Sequence, residues 1–158
     1  MKTKFLISTL CLAFISLAHA TNTNSTDGLT DEQRQIVRAL QTALDNTNFP
    51  DCRIETNGSG LSFEHGDITA WINYWDERSD VSVNGNHVTV QNSTHYDDNS
   101  GDLDQNQVIF TLSANQQEIV AATFVESELD RVNVGTITQP VFSYKATELQ
   151  RIRCLTAP

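Results

Sequence analysis

Positive charge is scarce in this chain. Lys2 and Lys4 lie at the start, and past residue 20 the sole lysine is Lys145. Against 20 acids, the ten lysines and arginines leave a net charge of −10. A field of that sign repels phosphate backbones and anionic membrane surfaces, which argues against nucleic-acid binding through a basic face. It favours solubility and, more specifically, cationic partners or calcium. Long apolar runs are missing after residue 20, so no segment there is of a length to anchor the chain in a bilayer. Catalytic signatures are missing as well. There is no C-x-x-C to depress a thiol pKa and no H-x-x-x-H or H-x-H to set two imidazoles on one face. G-x-S-x-G is absent, and Gly58-Ser59-Gly60 reads as a turn, not a nucleophile elbow. No self-similarity at a period of about 20–50 residues marks a repeat protein.

What is present begins with the first 20 residues. Lys2 and Lys4 precede an apolar stretch from Phe5 to Leu17, and Ala18-His19-Ala20 has the small-x-small pattern of a cleavage site. Residues 1–20 are therefore expected to be a secretory signal peptide, with Cys11 inside the discarded part. The mature chain of 138 residues would carry a charge of −12, because the signal removes two lysines and no acid. Its compartment would be periplasmic or extracellular. Two cysteines remain, Cys52 and Cys154, and in an oxidising compartment an even pair is most simply one disulfide.

Residues 21–29 read as a flexible leader and 30–158 as one globular domain. Thr30 and Gln33 form a capping box, Asp31 and Glu32 fill the first turn, and Ile36, Val37, Leu40, Ala43 and Leu44 fall on one face. This predicts a helix ending near Asn46. Everything after Cys52 reads as β. His65-Gly66 is expected to turn between Leu61/Phe63 and Ile68/Ala70/Ile72, placing Phe63 across from Ile68. Asn84-Gly85 marks a second hairpin that sets Val81 opposite Val88. Further strands are expected at Val108–Leu112, Ile119–Val125, Val132–Val134 and Val141–Tyr144, whereas Leu149 to Cys154 is ambiguous between strand and helical turn. The fold class is α+β: one amphipathic helix on a curved antiparallel meander of about six to eight strands. This plan is similar to that of small exported inhibitors and cystatin-like domains, and no motif of either is found.

Three places could carry chemistry. Tyr96 to Gln107 is expected to be a loop, and its Asp97, Asp98, Asp102 and Asp104 offer hard oxygen ligands for calcium. Counted from Asp97 or from Asp98, neither the glycine nor the glutamate of an EF-hand falls in place, so that motif is absent. His65, His87 and His95 are scattered near turns and the acidic loop. A helix on an antiparallel sheet is also the plan of small secreted ribonucleases, which need a carboxylate base, a His acid and a cation. Here those roles would fall to Glu64, to His87 or His95, and to Arg78 or Arg53. The third place is the aromatic strand 68–75. Alternation sends Ile68, Ala70, Ile72 and Tyr74 one way and Trp71, Asn73 and Trp75 the other. Exposed Trp and Tyr dominate binding hot spots, so Trp71, Tyr74 and Trp75 are the candidate binding residues for a protein or a carbohydrate. The sequence thus points to an exported, non-catalytic binding domain whose charge suits a cationic protein partner. A secreted hydrolase with a carboxylate–His pair and a calcium-binding domain are the alternatives.

Overall fold

A computed structural model of the chain describes residues 28–76, 78–95 and 100–157, with His95 described by its backbone only. It contains helix α1 (Asp31–Leu44) and eight strands. These are β1 (Arg53–Thr56), β2 (Gly60–His65), β3 (Ile68–Asn73), β4 (Asp80–Asn84), β5 (His87–His95), β6 (Leu103–Leu112), β7 (Ile119–Asn133) and β8 (Phe142–Leu155). Every pairing is antiparallel between sequence neighbours, so the chain is a meander as its composition suggests. The meander is broken, however, into sheets of three strands (β1-β2-β3) and five (β4 to β8), where one curved sheet was expected.

Side-chain capture of the backbone accounts for the break. After β3, Asn73 Oδ1 accepts the Trp75 N–H (3.0 Å) and Asp76 Oδ1 accepts the Arg78 N–H (3.0 Å). Ser79 Oγ then donates to the Asn73 carbonyl. Asx turns of this kind offer backbone groups an alternative to the ladder, and the chain leaves the first sheet there.

The helix begins as its sequence demands, with Thr30 and Gln33 exchanging both capping-box bonds. Gln33 goes further, donating through Nε2 to Asp80 Oδ1 (2.7 Å) and to the Val81 carbonyl (3.2 Å), which ties the first turn of α1 to β4. Ile36, Val37, Leu40 and Leu44 are buried. Across the five-stranded sheet, Val81, Val90, Val108, Phe124 and Ile152 stand in one register row, and Val83, Val88, Phe110, Ala122 and Cys154 in another. Ile54, Leu61, Phe63 and Ile72 of the small sheet join the same core, where the Phe63 and Phe124 rings stack at 4.8 Å. The Cys52–Cys154 disulfide links the entry to β1 with β8 across 102 residues.

Both early hairpins are found, each with its register two residues from expectation. Phe63 pairs with Ala70 and Val81 with Val90. The turns are Gly66-Asp67 and Gly85-Asn86, and the glycines take φ of +58° and +60° as the first central residue. Positive φ at that position alone is the II′ pattern, so glycine opens the turn and does not close it. A shift of two keeps every side chain on its expected face. Leu29, placed by the sequence at the end of a leader, is buried and donates its N–H to the Tyr74 carbonyl. At the other end β8 is strand throughout, with one irregularity opposite Glu126/Ser127. No helix among the described residues is long and apolar enough to cross a membrane.

Candidate binding face

Strand β3 is an edge of the small sheet, and its pleat sorts its side chains sharply. Ile72 and Tyr74 are 1% exposed, whereas Trp71 is 48% and Trp75 60% exposed. Burying Ile72 against the shared core forces Trp71 outward, since successive strand residues point to opposite faces. The indole does not extend freely. A Cβ on Gly60 would fall 2.5 Å from Trp71 Cζ2 and 2.7 Å from Cε2, so the ring leans over β2 and rests where a side chain would otherwise stand. Trp75 follows in the turn, its N–H held by Asn73, with the Arg34 guanidinium of α1 over its ring at 4.3 Å.

The register gives Trp71 its neighbours. Glu55, Ser62 and Trp71 stand in one row, and Arg53, Glu64 and Thr69 in the next, all on one face. Arg53 Nε donates to Glu55 Oε1 at 2.8 Å, with both side chains mostly in solvent. That bond and the two nearby carboxylates hold the Arg53 guanidinium above its usual pKa. The face thus combines exposed indole with two carboxylates that share one cation.

Tyr74 does not belong to this surface. Its ring points into the core and its hydroxyl is hydrogen-bonded to that of Thr56. Burial pushes the phenol up to about 12. It is a core residue, and the binding candidates narrow to the two tryptophans.

The acidic segment is dispersed differently from expectation. Asp97 and Asp98 lie outside the described residues. Asp102 Oδ1 accepts the Arg131 N–H at 2.6 Å. Asp104 is not in a loop: β6 begins at Leu103, and Asp104 sits in the ladder between Thr94 and Glu128. Among the described residues no three His, Cys, Asp or Glu side chains gather as a metal site would require. Of the hydrolase candidates, Glu64 stands on β2 and His87 on β5 in the other sheet, with His87 Nδ1 at 3.3 Å from Thr111 Oγ1. His65 closes β2 opposite Ile68, and the His95 side chain lies outside the described residues. An open groove of about 510 Å³ runs between the end of α1 and β1, lined by Gln41, Asp45, Asn48, Arg53 and Glu55 among others, with no histidine.

One surface went unread in the sequence. Strands β7 and β8 outrun β6, so Asp130–Asn133 pair only with Phe142–Lys145 and form an arm. Its exposed apolar residues are Val134, Ile137, Val141, Phe142 and Tyr144, and Arg131 lies over the Phe142 ring at 3.8 Å. The signal for it was the turn bracketed by Gly135 and Pro140, with Val134 on one side of it and Val141 and Phe142 on the other. Comparison with protein families, characterised proteins and solved structures finds no match.

Proposed function

We propose that the protein is an exported, non-catalytic binding domain that engages a cationic protein partner through the surface where Trp71 and Trp75 are exposed. The observation that carries this reading is the contrast along β3 and the turn that follows it, where both indoles are about half exposed while Ile72 and Tyr74 are sealed in the core. Leaving so much indole surface in water forgoes burial worth about 25 cal/mol per Å², and large exposed aromatics are the residues that anchor interfaces. The charge of −10 selects for partners of opposite sign and speeds their encounter. A disulfide of wide span suits the oxidising compartment to which residues 1–20 would direct the chain.

The test compares the immobilised protein with its Trp71→Ala/Trp75→Ala variant for binding of basic secreted proteins. The variant leaves net charge unchanged, so loss of binding with an unaltered circular-dichroism spectrum supports the aromatic face. Equal binding by both would assign any attraction to charge alone and end the proposal.

A further inference from the structure

Exposed aromatic rings on this molecule attract guanidinium groups. Arg34 lies over Trp75 at 4.3 Å and Arg131 over Phe142 at 3.8 Å. Trp71 is exposed to a similar degree, and among the described residues no cation lies over it. Its surroundings nevertheless favour one. Glu64, which pairs with Thr69, is a diagonal cross-strand neighbour of Trp71 at about 7–8 Å between backbones. It lies on the side of Ser62 opposite to Gly60, so it flanks the end of the indole away from its lean. Glu55 lies in the same row as Trp71, one strand further away. Arg53 is engaged with Glu55, so these two carboxylates and one guanidinium leave the face locally negative. A guanidinium suits such a place better than an ammonium. Its plane stacks on the indole while its edge presents N–H groups to a carboxylate. The ring is also held over Gly60, so little freedom is lost when a ligand settles on it.

Building on the reading of this face as a protein-binding surface, we infer that Trp71 and Glu64 together receive an arginine side chain of the partner. The indole supplies the stacking surface and Glu64 the counter-charge. Phosphorylated or otherwise anionic ligands are repelled by both the local carboxylates and the overall charge.

The experiment uses the Trp75→Phe variant, in which Trp71 is the sole tryptophan and Arg34 keeps an aromatic ring to cover. Hexa-arginine, hexa-lysine and a neutral hexasaccharide are titrated in turn while Trp71 emission is followed. Saturable change with hexa-arginine, weaker with hexa-lysine, is expected. By calorimetry, Trp71→Ala should weaken hexa-arginine binding about two- to fivefold. Glu64→Gln should weaken it by a similar factor, again about two- to fivefold. Binding of hexa-arginine that is indifferent to both substitutions would overturn the inference, because the general acidic field would then explain it. A response to the hexasaccharide alone would also overturn it, while showing that the face does bind a ligand. The broader reading fails separately, if basic proteins bind the Trp71→Ala/Trp75→Ala variant as well as the parent.

Discussion

Tyr74 shows how aromatic side chains serve two roles within a few positions of chain. Its ring fills the core between two exposed indoles, and its hydroxyl survives burial because Thr56 satisfies it. Thr56 in turn donates to the Gly60 carbonyl, in the stretch of β2 that supports Trp71. With the phenol pushed from an ordinary 10 up to about 12, the folded chain keeps a proton that the unfolded chain releases. The stabilisation is therefore complete below pH 10 and is lost as pH rises from 10 towards 12. A loss on the order of 2 kcal/mol across that window is expected. Thermal melts of the parent should fall more steeply with alkaline pH than those of Tyr74→Phe, which has no proton to release; parallel slopes would refute the assignment. The separation of Tyr74 from Trp71 and Trp75 was legible because strand alternation is a strict rule and Ile72 and Tyr74 have a core to enter. Which aromatic would be seated against Gly60 was not legible, since that depends on a cross-strand neighbour.

At the level of elements, legibility follows the buried faces. Helix α1 starts at the expected cap and ends within two residues of expectation, because capping and apolar spacing are local signals. Thr30→Ala should cost about 1 kcal/mol of stability in urea unfolding. Gln33→Ala should cost more, because Gln33 also bonds Asp80 and Val81 and so joins the helix to the second sheet. A Gln33 loss no larger than that of Thr30 would mean the tie to β4 contributes nothing. The hairpins were located correctly and misregistered by two, since His65-Gly66 and Asn84-Gly85 were read as the central pairs, with glycine second. The structure instead uses Gly66 and Gly85 to open their turns. The division into two sheets was hidden because it hinges on which side chains, here Asn73 and Asp76, capture backbone N–H groups. Part of β8 was ambiguous for a different reason. That part, Leu149 to Cys154, does alternate in the structure, with Gln150, Ile152 and Cys154 turned inward. Leu149 and Leu155, which face out at its ends, are apolar as well, so the pattern did not stand out.

Across the whole molecule, the disulfide is the long-range constraint the sequence made plainest, since only two cysteines remain beyond residue 20. By spanning 102 residues it restricts the unfolded chain strongly. Replacing both cysteines with serine should cost on the order of 4–5 kcal/mol if chain entropy dominates. The urea midpoint should fall accordingly, and an unchanged midpoint would show that the core alone holds the two sheets together. Acidity is spread over the molecule, whereas exposed aromatic surface is concentrated on the β3 edge and the β7–β8 arm. Charge accounts for the sign of the proposed partner, and the aromatic surface accounts for where it would dock.

The claim on which the functional account depends is that both indoles face solvent in the free protein. Acrylamide quenching of intrinsic tryptophan fluorescence tests it most directly. With Trp71 at 48% and Trp75 at 60% exposure, emission should be red-shifted and efficiently quenched. Blue-shifted emission protected from acrylamide would place the indoles in an interior, and the proposed binding face would not exist.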